Sequence, residues 1–200
     1  DVHVARLGVD MLTLNSGKMY GPKAVGLLWT KPSVKITPLI VGGGQERNLR
    51  SGTENVAGVI GFATAAEHAA AHSKHEHRRL AELRDTLQAD LLKTFPDAVI
   101  SGHPKKRLAG HLHISFPGID GERLVFLLET KQVYVATGSA CAANKGTRSH
   151  VLHAIGLLPQ LADGSLRITL GRYTTPEQIS KASQSIIEAV LQEYTRMEQR

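Results

Sequence analysis

Cysteine is all but absent: Cys141 is the single one in 200 residues. An internal disulfide framework is therefore excluded, and the lone thiol fits a reducing compartment, which points to the cytoplasm. Aromatic residues are also scarce, at 4%. The formal charge of +6 could attract nucleic acid. However, the one basic cluster, Lys105-Lys106-Arg107, follows Gly102 and Pro104 and reads as a solvated loop, so no nucleic-acid partner is expected. No apolar run approaches the length of a membrane span, which argues against a membrane partner. The N-terminus has neither a signal-peptide pattern nor an initiator methionine. The chain opens at Asp1 without a start or capping signal, as a piece of something longer would. Internal repeats and low-complexity segments are also missing.

What is present suits one large domain or a domain and a half, with an ordinary 42% of hydrophobic residues for a core. Val9 to Leu14 and Ala24 to Trp29 read as short buried strands flanking Asn15-Ser16-Gly17-Lys18-Met19-Tyr20-Gly21-Pro22-Lys23. A lysine in a tight turn between buried strands would be partly desolvated, which favours the neutral amine and so a nucleophile. Downstream, Gly42-Gly43-Gly44 leads into Gln45-Glu46-Arg47 and then Arg50-Ser51-Gly52-Thr53. Such a backbone can coil around an anion or be an ordinary glycine-rich loop.

Two helices are expected next, an alanine-rich one over Asn55 to His72 and a charged one over Lys74 to Thr94 with a leucine stripe. The change of composition near Ser73 sets the domain boundary, giving segments 1–72 and 73–200. His68, His72, His75 and His77 lie close together, but with no second ligand pair nearby they read as a polar helix face, and no metal is expected. In the second segment, His111-Leu112-His113-Ile114-Ser115-Phe116 alternates with period two, and Gln132 to Ala136 is a β-branched strand. Helices are expected over Gly121 to Thr130, over His150 to Leu157, and from Thr175-Pro176 to the end. With a strand at Leu166 to Leu170, alternating strands and helices give an α/β fold.

Two further residues point to chemistry. Cys141 follows Gly138-Ser139-Ala140 among small, polar residues, next to Lys145 and Arg148, a setting that favours the thiolate. Arg167 sits mid-strand, where a charge needs a partner. A guanidinium grips a carboxylate bidentately, so this arginine suits an amino-acid substrate, and a structural salt bridge suits it equally.

Lys18, the Gly-Gly-Gly-x-Glu-Arg run to Arg-Ser-Gly-Thr53, Gly-Ser-Ala-Cys141 and Arg167-x-Thr-Leu-Gly-Arg occur in one order across nearly the whole chain. Together they resemble the group I cysteine desulfurases, of the class V aminotransferase family and fold type I. The resemblance implies the C-terminal part of the large cofactor-binding domain followed by a small α/β domain. It also implies pyridoxal 5'-phosphate as cofactor, with Lys18 as the Schiff-base lysine and Asn15, Ser16 and Gly17 beside it. Thr53 would reach the cofactor phosphate of the partner in a homodimer, Arg167 would hold the carboxylate of L-cysteine, and Cys141 would carry sulfur as a persulfide. An iron–sulfur scaffold or a tRNA-thiolation carrier would accept that sulfur. Two positions depart from the pattern: histidine is usual where Gly17 stands, and serine where Asn15 stands. The family's ring-stacking histidine and pyridinium-pairing aspartate would precede Asp1, so the 200-residue chain alone is expected to be inactive. A selenocysteine lyase, or a non-catalytic fragment that binds partners, are the alternative readings.

Overall fold

The computed structural model describes residues 2–138 and 148–199. The chain divides into two compact units, Asp1–Lys74 and His75–Arg200.

In the first unit, a single helical turn, α1 (Val4–Leu7), ends at Gly8 in the left-handed conformation. Two strands, β1 (Met11–Asn15) and β2 (Gly26–Thr30), then pair antiparallel with Asn15 opposite Gly26 and Met11 opposite Thr30. The expected strands are present, shifted by one or two residues, but they are not buried: exposed and half-exposed positions run along both. Among the described residues these two strands pair only with each other, and burial is concentrated at their junction with the helix that follows. There Val25 and Phe62 are buried. Gly58 and Gly61 permit the approach, since a Cβ on either would come within 2.6 Å of Val25 Cγ2 or Pro22 Cγ.

That helix is α2 (Val56–Thr94), 39 residues without interruption. The sequence led us to expect two helices, and the structure corrects this. No proline occurs between Val56 and Thr94, and the only glycines lie in the first two turns, so nothing in the composition shift near Ser73 breaks the backbone pattern. The segment stops at Phe95-Pro96, where proline cannot continue the ladder.

The second unit is built on a three-stranded antiparallel sheet of β3 (Val99–Ile100), β4 (His111–Ser115) and β5 (Ser165–Thr169), in that spatial order. Alternation sorts its side chains. Leu112, Ile114, Leu166 and Ile168 point into a core with Leu87 and Leu91 of α2. His111, His113 and Ser115 share the opposite face with their register partners Thr169, Arg167 and Ser165. Helix α3 (Gly121–Thr130), capped by Asp120, adds Leu124 and Leu128 to the core. Two short helices follow, α4 (His150–Ala154) behind the Ser149 cap and α5 (Pro159–Asp163) with proline in its first turn. The last helix, α6 (Pro176–Glu198), begins with a full capping box: Thr175 Oγ1 accepts from the Gln178 N–H while the Gln178 side chain accepts from the Thr175 N–H. It seals the core with Ile179, Ile186, Ala189 and Val190.

The expected strand over Gln132 to Ala136 is reduced to one bridge, Ala136 to Arg167. Gln132 has φ +60°, and the Lys131, Gln132 and Val133 N–H groups all bond back to the end of α3. The residues that would start a strand are thus committed to terminating a helix.

Three buried or half-buried charges stitch this unit together. Arg84 is buried and donates to the Leu108 and Ala109 carbonyls. Glu193 is buried on α6 and accepts from Arg123 and Arg196. Arg79, paired with Glu76, donates to the Gly171, Arg172 and Thr174 carbonyls of the turn after β5.

Candidate functional site

The lysine turn is a short 3-10 helix, Ser16–Met19, in the connection between β1 and β2. Asn15 caps it, its Oδ1 accepting from the Gly17 N–H at 2.9 Å. Ser16 is drawn inward by its N–H, which donates to the Val25 carbonyl, and its carbonyl accepts from Gly21. Its side chain is fully buried and the Oγ has no hydrogen-bond partner. Lys18, by contrast, is exposed. The expectation of a desolvated lysine is therefore corrected for this chain. A 3-10 turn places successive side chains about a third of a revolution apart, so burying Ser16 turns its neighbours Gly17 and Lys18 outward.

The glycine-rich segment of the same unit carries local strain. Gly44 has φ +81°, and Glu46, Arg47 and Asn48 follow with φ of +50°, +59° and +62°. Three consecutive non-glycine residues in the left-handed region are costly, since each brings its Cβ against its own backbone. Asn48 N–H closes the turn on the Gly44 carbonyl, and the Gln45 side chain ties it to the Gly52 N–H. Thr53, one residue on, is exposed.

In the second unit, Arg167 occupies the middle of β5, half-buried, directly across from His113. Its backbone is held on the other side as well: Arg167 N–H donates to Ala136 and the Ala136 N–H donates back. The chain thus leaves the sheet edge at Ala136 and enters Thr137-Gly138, the approach to Cys141. Gly138, with φ +44°, lies against Ser149, so both flanks of the segment come together. Cys141 itself, with Ser139, Ala140 and Lys145, lies outside the described residues. Arg148, expected to favour its thiolate, instead makes a bidentate pair with Asp163 at 2.7 Å on both arms. That hydrogen-bonded guanidinium holds the Asp163 carboxyl below its ordinary range.

Of the residues singled out from the sequence, Asn15, Ser16, Gly17 and Lys18 share one turn, and Thr53 belongs to the same unit. Arg167 belongs to the other. Sequence reasoning missed the Arg79 clamp on the turn after β5, whose partners lie more than ninety residues away. The period-two alternation around His113 gave that residue no role beyond its place in a strand. That residue is buried, and burial first, then the charges of His111 and Arg167, push its pKa down to about 4. His68 and His72 stack at 4.1 Å, and among the described residues no group of three or more His, Cys, Asp or Glu side chains could hold a metal. Among those same residues, no helix is long and apolar enough to cross a membrane.

Comparison with known proteins decides the family. The sequence profile of Aminotransferase class-V matches residues 1–182. The chain belongs to the aminotransferase class-V family. Among its relatives, cysteine desulfurase IscS 1 of Archaeoglobus fulgidus is 44% identical over 181 residues, which is 90% of this chain and 47% of that protein. A solved NifS-like protein superposes with a TM-score of 0.83 at 36% identity, over 93% of this chain and 47% of the other. A structure described as SspA in complex with cysteine gives 0.60 at 30% identity, over 88% of this chain and 48% of the other. The chain spans about half the length of the curated relatives it matches. The resemblance to cysteine desulfurases holds at both levels, sequence and α/β fold, within this class-V family.

Proposed function

We propose that the protein carrying this chain is a pyridoxal-phosphate-dependent cysteine desulfurase, which converts L-cysteine to L-alanine and passes sulfur to Cys141. The observation that carries the reading is the 44% identity to a cysteine desulfurase along nine-tenths of the chain. The relative solved with cysteine supports the choice of substrate.

The lysine turn fits the cofactor. It offers the exposed Lys18 amine, the Asn15 carboxamide and the Ser16 hydroxyl, a buried polar atom with no partner of its own. Bound pyridoxal phosphate supplies an electron sink for the substrate α-carbon. The chain's own residues do the rest. Arg167, fixed through its backbone on both sides, receives the substrate carboxylate and orients the amino acid. The Cys141 thiolate bonds to the substrate sulfur as the carbon–sulfur bond breaks. The electron pair stays on carbon, a proton delivered through the Lys18 amine completes alanine, and Cys141 is left as a persulfide. A sulfur-acceptor protein then takes the outer sulfur, for iron–sulfur cluster assembly or tRNA thiolation. Exposure of Thr53 is what a residue reaching a second subunit's cofactor needs, and the reading includes a cytoplasmic homodimer.

The test is to follow alanine release from L-cysteine by the protein carrying this chain, loaded with pyridoxal phosphate. Lys18→Ala should abolish release and remove the bound-cofactor absorbance. Arg167→Lys should raise KM for cysteine more than it lowers kcat, because a point charge replaces a fork. Alanine release that survives Lys18→Ala refutes the assignment.

A further inference from the structure

His113 is the one titratable group on the Arg167 face of the sheet that is more than nine-tenths buried, at 6% exposure, with both ring nitrogens lacking a hydrogen-bond partner among the described residues. Ser115, two residues along the same face, is fully buried, and its Oγ is likewise unpaired. Buried polar atoms are nearly always hydrogen-bonded in folded proteins, so an unpaired imidazole beside an unpaired hydroxyl calls for an explanation. The register places His113 directly opposite Arg167, so both side chains leave the sheet on the same side. No acidic side chain pairs with Arg167 among the described residues.

We propose that His113 and Arg167 form one carboxylate-receiving pair, in which the imidazole N–H supplies a donor beside the guanidinium fork. This deepens the reading of Arg167 as the substrate-carboxylate residue, and rests on it. A donor next to a permanent cation selects an acceptor that is anionic. A carboxylate has lone pairs enough for the guanidinium and for a third donor. The imidazole stays uncharged at neutral pH, since burial first, then the charges of His111 and Arg167, oppose its protonation. His111 is itself held low by burial and by Arg167 and Arg107, so near neutral pH the standing positive neighbour is Arg167. A neutral imidazole donates without adding a second cation, which would repel the first. His113 thereby sets how the carboxylate is rotated in the fork, and so discriminates α-carboxylates from anions without that planar shape.

The test uses the protein carrying this chain with acetate as probe at pH 7, read by the nitrogen chemical shifts of the His113 ring. In the wild type, acetate produces a saturable shift, and Arg167→Ala abolishes it. His113→Phe, which keeps the ring and removes the donors, weakens acetate binding about tenfold, the size expected for one hydrogen bond to a charged group. That binding is followed on backbone amides of β5. His113→Asn, which keeps a donor, restores it to within about threefold, and so separates a lost donor from a misfolded sheet. If Arg167→Ala abolishes binding while His113→Phe leaves it unchanged, the pair is overturned and the Arg167 reading stands. If binding ignores Arg167→Ala, both fall. A wild-type protein that shows no saturable acetate response also overturns the pair.

Discussion

Truncating Leu166 to alanine tests whether the sheet that carries Arg167 divides into a core face and a site face. Leu166 is fully buried and packs among Leu112, Ile114 and Leu124, while Arg167 beside it points the other way. The change removes roughly three methylene equivalents, about 2.4 kcal/mol at about 0.8 kcal/mol each. A cavity that collapses only in part brings the loss to about 3 kcal/mol. With a urea slope of about 1.5 kcal/mol per molar, the unfolding midpoint should fall by about 2 M, followed by far-UV circular dichroism. Thr169→Ala, at an exposed position on the Arg167 face of the same strand, should stay within about 0.5 kcal/mol of wild type. Equal losses for the two variants, or a larger loss for Thr169→Ala, would refute the face assignment. With it would go the argument that Arg167 and His113 lie side by side.

Two further outcomes follow from the charged and strained positions. Hydrogen bonding from Arg123, above all, holds the Glu193 carboxyl below its ordinary range. A depressed folded-state pKa means the stabilisation is complete above the unfolded-state value and is lost as pH falls through the folded one. Glu193→Gln should therefore unfold more readily than wild type at pH 7, and the gap should close as pH drops below about 4.5; a gap that is constant with pH would mean shape, not charge, sets it. In the left-handed run, Asn48→Gly relieves a φ of +62° and should stabilise the first unit by about 0.5 kcal/mol. Gly44→Ala should destabilise it, because its Cβ would lie 2.6 Å from Asn48 Oδ1 at a φ of +81°. Hydrogen exchange of residues 44 to 52 checks the pair, and the opposite ordering would contradict it.

Local patterns carried much of this fold into the sequence. The alternation His111-Leu112-His113-Ile114-Ser115 announced a strand with one apolar face, and Thr175-Pro176 with Gln178 announced the start of α6. What failed did so for identifiable reasons. The alanine-to-charge shift near Ser73 looked like a helix boundary, yet continuity depends on backbone breakers, and α2 has none there. Gln132 to Ala136 has strand composition, but its first residues close α3. At five residues, α5 is too short to show a period. The partners of Arg79 and the pairing of His113 with Arg167 depend on contacts between distant segments, which periodicity does not record. In the candidate site, the residue types were legible at Lys18, Thr53 and Arg167, but their exposure was not, because burial belongs to the folded chain rather than to the neighbours in sequence.

The most direct test of the central claim is the sulfur itself. The protein carrying this chain is incubated with pyridoxal phosphate and L-cysteine, alkylated without reductant, digested and examined by mass spectrometry. The peptide containing Cys141 should gain the mass of one sulfur atom, with alanine formed alongside, and Cys141→Ser should abolish both the adduct and sulfur delivery to an acceptor. Alanine formed in full while Cys141 stays unmodified, or a persulfide found only on another residue, would contradict the account.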